Sequence, residues 1–256
     1  MKTLLVVTTF NQLDYTKECY NCFLKSNIKD CDLLIIDDVS TDGTIEWCIS
    51  NNINYISKDS GKGLTHSWNL AYKYFKEHTE YSLLIVANDD IIIPAGSIEE
   101  LIRCHSKWPS ICIVPMSNSV GCGHNPTQSI VNYYSDIDES PDAVQNVQDS
   151  ILAFMNANEM KFRKFIFDPI RMLMFSGFLF SLKRDVIKYE REDGNMFDPE
   201  LLNYKNEDDF NWRVLLTNDE YPMLCKTSYI FHHKGVSFAH IKDARTNNLE
   251  SFLQNR

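Results

Sequence analysis

The sequence predicts an α/β fold, a mostly parallel sheet flanked by helices. Three observations carry this reading. Short apolar runs alternate with segments of helical spacing through the first 115 residues. The runs are continuous rather than alternating, as strands buried on both faces require. They also end in clusters rich in acid and hydroxyl groups, at Thr8-Thr9-Phe10-Asn11, Asp37-Asp38, Lys58-Asp59 and Asn88-Asp89-Asp90. Open α/β sheets place their ligands beyond such strand ends.

The elements follow in order. "TLLVVT", Thr3 to Thr8, reads as a buried strand, and Leu13 to Asn27 as a helix with Tyr15, Cys19, Cys22 and Phe23 on one side. "CDLLIIDD" is a second strand. The helix in "STDGTIEWCISN" opens with Ser40 and Thr41 as cap candidates. "INYISK" is a third strand. After Gly61-Lys62-Gly63 comes a long helix with Leu64, Trp68, Ala71, Tyr72 and Phe75 inward. "YSLLIVA", a helix over 95–108 and "ICIVP" complete the first half. After Pro115 the pattern changes. A polar loop from Met116 to Tyr134 precedes a helix that begins near Ser140-Pro141. A strand-rich stretch, "RMLMFSGFLFSLKRDVI", is broken at Ser176-Gly177. A helix over 204–218 carries acids in its first turn, which suits the macrodipole, and "YIFHHKG" is a last strand. No linker or repeat divides the chain, so residues 1–256 are expected to form a single domain. Residues 1–115 and 116–256 are its two halves.

With 256 residues and a net charge of −10, the chain is large enough for one sizeable core. Its acidity argues against nucleic acid as a partner. The six-residue apolar run after Met1-Lys2 is too short for a signal peptide or a membrane span, so no integral membrane segment is expected. The eight cysteines are scattered. Cys19 and Cys22 have CxxC spacing without the second pair that a zinc site needs. Reduced thiols in a cytoplasmic protein are expected.

The motifs exclude several chemistries. No G-x-G-x-x-G follows the first strand, and no GxxxxGK[ST] or G-x-S-x-G occurs. What remains is acid: Asp37, Asp38, Asp89, Asp90 and the run Glu207-Asp208-Asp209. An acidic pair at a strand end serves as a cap or turn in many proteins. Paired carboxylates also suit a hard cation such as Mg²⁺ or Mn²⁺, which takes one or two of them plus substrate phosphates. A further carboxylate acting as base then fits transfer from an activated phosphate donor.

Seven segments in order resemble the GT-A glycosyltransferases of family 2 type, over nearly the full length. "LVVTTFNQ" is similar to that family's first strand and turn, and "LLIIDDVSTDGT" to its nucleotide-binding "VDDxSxDGT". "GKGLTHSWNLAY" resembles its "NxGxAxARNxG", with Trp68 in place of Arg and Ala71 in place of Gly. "ANDD" stands where the family has its DXD-type motif. "FSGFLFSLKRDVI", "FDPELLNYKNEDDFNWR" and "IFHHKGVS" resemble "SGAxxxxRRxxF", "FDExFFxYxEDxDLxxR" and "YHHGGxS".

The resemblance implies a GT-A (Rossmann-like) sheet with a smaller mixed region on the acceptor side. It implies an inverting transferase that takes a nucleotide-sugar donor and a glycan, lipid-linked glycan or protein acceptor, with Mn²⁺ or Mg²⁺ as cofactor. Donor-binding positions fall on Thr8, Phe10, Asp38, Gly63, Asn88 and Asp89, and the acceptor loop on Ser176 and Gly177. The metal positions are Asp90 and Asp89, with His233 nearby. Aligning on Asp209, Phe210 and Arg213 puts the family's acidic pair on Asn206-Glu207 and makes Glu207 the base. Reading the letters "ED" literally makes it Asp208. Trp68 and Trp212 are expected in the core. A sugar nucleotidyltransferase and a catalytically silent binding module are the alternatives.

Overall fold

The computed structural model describes residues 1–118, 139–167, 169–172, 174–203 and 205–233. The expected loop from Met116 to Tyr134 therefore lies outside the described residues beyond Asn118. The first half contains β1 (Thr3–Thr9), α1 (Leu13–Ser26), β2 (Cys31–Asp37), α2 (Thr44–Ser50), β3 (Tyr55–Ser57), α3 (Gly63–Glu77) and β4 (Leu83–Asn88). There follow β5 (Ile91–Ile92), α4 (Ser97–Lys107), β6 (Cys112–Ser117), α5 (Pro141–Phe167), β7 (Ile170–Arg171) and β8 (Leu179–Lys183). A five-residue helix α6 (Asn206–Phe210) runs into a π turn, and β9 (Met223–His232) closes the described chain.

The sheet runs β3-β2-β1-β4-β8-β6-β9-β5, with β7 beside β9. β1, β2, β3 and β4 pair in parallel, as do β6 and β9. The antiparallel pairings among the described residues all involve β8 or β9, in the mixed region expected on the acceptor side, and β5 and β7 are antiparallel to β9. β8 enters between β4 and β6 and is antiparallel to both. The choice of neighbour is a long-range matter that an apolar run does not encode. The α/β sheet flanked by helices is otherwise as expected.

Alternation along each strand divides the core into two layers. Leu5 and Val7 of β1 face α1, α4 and α5, through Cys19, Cys22, Leu101 and Val144. Leu4 and Val6 face α3 and α6, through Trp68, Tyr72, Phe75 and Phe210. The seven described cysteines are free, six of them buried; Cys122 lies outside the described residues. Arg184, just after β8, donates to the carbonyls of Phe75, Lys76, His78 and Tyr81 at 2.8–3.2 Å. It thereby satisfies the Phe75 and Lys76 carbonyls in the last turn of α3, which the helix leaves unpaired, and two in the segment after it.

Two local expectations are corrected. Ser40 and Thr41 do not cap α2. Their groups hold Asn11 instead: Ser40 Oγ accepts the Asn11 N–H at 2.8 Å, and Asn11 Oδ1 accepts the Thr41 N–H at 2.7 Å. Asp42 Oδ1 accepts the Thr44 N–H at the helix start. Trp212 is 62% exposed rather than in the core. Phe210, Val214 and Leu215 set the inner stripe of that segment, and helical spacing turns Trp212 away from it.

Candidate functional site

The parallel register brings the carboxyl ends of β1, β2 and β4 together, with Thr8 beside both Ile36 and Asn88. A cleft of about 280 Å³ opens there. It is lined by Thr8, Thr9, Phe10, Asp38, Gly61, Gly63, Leu64, Ser67, Asn88, Asp89 and Asn203. Every residue expected at the donor thus lies on its wall. Gly61, Leu64 and Ser67 come from the segment that the sequence had already marked. Asn203 arrives from 140 residues away with no local signal.

Asp38 organises the rim. Its carboxylate accepts the N–H groups of Lys62 and Gly63 at 3.1 and 3.0 Å, and Lys58 Nζ stands 2.5 Å away. A carboxylate has about four acceptor positions, so one remains open. Lys58 is buried, and its Nζ also donates to Gly63 O and Ser67 Oγ. Burial pushes its ammonium below the ordinary lysine value, against the opposing pull of Asp38. Asp37, fully buried, accepts the Ser40 N–H at 3.0 Å. Between them Val39 is held at φ 63°, a region that a β-branched residue rarely enters and that costs about 1–3 kcal/mol.

Gly63 is required at its position. It has φ +77°, and a Cβ there would stand 2.7 Å from both Asn203 Oδ1 and Leu202 O. Asn203 Oδ1 in turn accepts the Leu64 N–H at 2.9 Å. Gly63→Ala is expected to push the Leu202–Asn203 backbone off the start of α3. Calorimetry should then show nucleoside diphosphate affinity weakened about tenfold or more, equivalent to roughly 1.4 kcal/mol. Unchanged affinity would remove this edge of the cleft from the donor site.

Beyond Asn88, Asp89 and Asp90 are both 2% exposed. Asp89 lines the cleft, and Thr16 Oγ1 approaches its Oδ2 at 3.5 Å. Behind it, His232 Nε2 stands 3.3 Å from Asp90 Oδ1 without hydrogen-bond alignment. His232 stacks on Phe178 at 5.1 Å. His233, expected near the metal, is turned elsewhere. Its Nε2 pairs with Glu18 Oε2 at 3.2 Å, and only its backbone N–H reaches this corner, donating to Asp90 O at 2.9 Å. Among the described residues no three His, Cys, Asp or Glu side chains converge as a preformed metal cage. The donor set nevertheless fits a hard divalent cation completed by substrate phosphates. Asn88 Oδ1 and Asp90 Oδ1 are buried acceptors with no hydrogen-bond donor.

The acidic run near residue 207 separates into different environments. Asp208 pairs with Lys205 Nζ at 2.8 Å, and Asp209 with Arg213 at 3.4 Å. Asn206 is buried and donates to Thr65 Oγ1 of α3 at 3.0 Å. The Glu207 residue is partly exposed, yet its carboxyl is packed against Gly177, 3.6 Å from where a Cβ would stand. Burial pushes that carboxyl up to about 7, with Asp208 adding to the rise. Its own N–H, the Gly177 N–H and Lys205 oppose it. The turn that carries Ser176 and Gly177 is pinned to the cleft, because Phe178 O accepts the Asn88 N–H at 2.9 Å. Trp68, 1% exposed, packs beneath this turn as expected of a core residue. A carboxyl able to exchange a proton near neutral pH thus lies against a turn that bonds to Asn88, a residue of the same cleft wall as the buried Asp89.

Residues 4–189 match the model of glycosyl transferase family 2. Several solved structures share the fold. GalNAc-T7, crystallised with UDP, GalNAc and Mn²⁺, aligns with a TM-score of 0.62 and 14% identity, over 91% of this chain and 44% of that one. TarS 1-349 of S. aureus, in complex with UDP-GlcNAc, gives 0.59 and 15%, over 94% and 61%. The mannosyltransferase PcManGT from Pyrobaculum calidifontis, with GDP-Man and Mn²⁺, gives 0.58 and 11%, over 99% and 64%. The chain spans less than two thirds of each of these proteins. At such identities the likeness is one of fold. No curated protein matches the sequence. Among the described residues no helix is long and apolar enough to cross a membrane.

Proposed function

The chain belongs to glycosyl transferase family 2, and from that premise we propose that it is an inverting, metal-assisted transferase working as a single domain. The donor is a nucleoside-diphosphate sugar, and the acceptor a hydroxyl on a glycan, a lipid-linked glycan or a protein. The observation that carries the reading is the Glu207 carboxyl, which makes no ion pair among the described residues, lies 3.6 Å from where a Cβ on Gly177 would stand, and is raised by burial to about 7.

In this scheme residues 1–115 hold the donor and residues 116–256 supply the acceptor side and the base. Phe10 and Thr8 border the nucleoside, and the Asp38 rim holds the Lys62-Gly63 backbone against it. Asp89 and Asp90 would hold Mn²⁺ or Mg²⁺, which supplies positive charge to the diphosphate leaving group. Ser176 and Gly177 border the acceptor. The ionised Glu207 takes the acceptor hydroxyl proton as that oxygen bonds to the anomeric carbon and the bond to diphosphate breaks. One displacement with one base inverts the centre. A reducing compartment such as the cytoplasm is the location proposed, where thiols like those of the seven described cysteines stay reduced.

The nucleotide choice rests on Asp38. Its one open acceptor position suits the N–H edge of uracil or thymine, so UDP or dTDP donors are favoured. GalNAc-T7 and TarS were crystallised with UDP or UDP-GlcNAc and PcManGT with GDP-Man, so the fold leaves the nucleotide open. Calorimetric titration with UDP, dTDP and GDP in the presence of Mn²⁺ tests the choice. UDP or dTDP should bind more tightly than GDP, and Asp38→Ala should weaken that binding. A clear preference for GDP would refute the assignment.

A further inference from the structure

Gly177 lies between two side chains. A Cβ placed on it would stand 2.5 Å from Cη2 and 3.0 Å from Cζ2 of Trp68, and 3.6 Å from Cδ of Glu207. The indole rim and the carboxyl therefore face one point of backbone, and the Gly177 amide is among the influences that lower that carboxyl against its burial. The indole is itself fixed. It meets the rings of Phe180 and Phe197 edge-on at 4.9 and 5.2 Å. Next to it, the Asn69 side chain accepts the N–H groups of Met196 and Phe197 and donates to Phe197 O, all within 3.0 Å.

We infer that Trp68 is a positioning residue for Glu207. Its indole sets the height of the Ser176–Phe178 turn, so that the Gly177 N–H reaches the carboxyl, and it closes the inner side of that carboxyl to water. The inference rests on Glu207 being the base and says how that base is held. The charged groups that bear on Glu207 are Asp208 and Lys205, both beside it in the chain and paired with each other at 2.8 Å. α3 and the turn present an apolar ring and an amide. Burial is therefore the leading influence on its protonation, and the indole supplies part of that burial.

The test compares wild type, Trp68→Phe, Trp68→Leu and Glu207→Gln. The infrared band of a protonated carboxyl that titrates near pH 7 is assigned to Glu207 by its loss in Glu207→Gln. Trp68→Phe should leave the midpoint within a few tenths of a pH unit. Trp68→Leu admits water and should lower it by about one unit or more. The acid limb of the turnover profile should move by the same amount, while nucleoside diphosphate affinity stays within about twofold, since the donor contacts are intact. An unmoved midpoint in folded Trp68→Leu overturns the inference, and so does an equal shift in Trp68→Phe. If Trp68→Leu fails to fold, Gly177→Ala decides the matter. Its Cβ has no room unless the turn lifts off the indole, so the midpoint must move, and a fixed one overturns the inference. A band that persists in Glu207→Gln, or full turnover by that variant, instead removes the base assignment itself.

Discussion

Glu207→Gln is expected to lower the turnover of sugar transfer by about 10²–10⁴-fold, the usual contribution of a general base. Nucleotide affinity should stay nearly intact. The amide keeps the shape of the side chain and loses only its basicity, and Glu207 is not on the cleft wall. Asp208→Asn should do far less, because Asp208 is already spent on Lys205. The base must be ionised, so wild-type turnover should rise with pH through about 7, the value to which burial raises the Glu207 carboxyl. The stability effect has the opposite sense. A carboxyl that is raised in the fold favours folding while it is protonated, and this contribution is lost as pH rises through about 7. Glu207→Gln should therefore melt higher than wild type at pH 8 while turning over more slowly. Paired kinetics and melting curves check both. A slow Asp208→Asn with a normal Glu207→Gln would shift the base by one residue.

Asp90→Asn is expected to have the second largest effect. In wild type, Mn²⁺ or Mg²⁺ should strengthen nucleoside diphosphate binding, and the variant should lose most of that gain. A buried amide leaves one negative charge fewer for the cation and for His232 beside it. Removing one hydrogen-bonded or coordinating charge at a buried site costs about 2–5 kcal/mol, or roughly 30-fold and upward in the metal-dependent part of the affinity. Titrations with metal and with chelator, in wild type and variant, measure this. Equal wild-type affinity in both conditions would remove the metal from the account.

Much of this site is legible along the chain, for a physical reason. Strands covered on both faces must be apolar throughout, so β1, β2 and β4 stand out. A parallel register then forces Thr8, Asp38, Asn88 and Asp89 to one edge without further information. What the chain does not reveal depends on parity or on distant partners. His232 and His233 alternate across a strand end, and only the fold decides which faces Asp90. The alignment frame already favours Glu207 over Asp208, and the ion pair of Asp208 with Lys205 separates their environments further. Trp68 departs from the family's usual Arg, and its role becomes visible only against Gly177, which lies 109 residues further on. Asn203 and the antiparallel β8 also depend on contacts far apart in sequence. The exposed Trp212 was readable, because the spacing of Phe210, Val214 and Leu215 already turned it outward.

On the proposed reading, this site breaks the bond between a sugar and a nucleoside diphosphate, with Glu207 as the base. The most direct measurement is phosphorus NMR of UDP-sugars incubated with the protein and Mn²⁺, with water standing in for the acceptor. Free nucleoside diphosphate should accumulate with wild type and far more slowly with Glu207→Gln. Pyrophosphate in its place would identify a nucleotidyltransferase, and no product from a protein that binds the nucleotide would identify a silent binding module. Either result would overturn the assignment of sugar transfer.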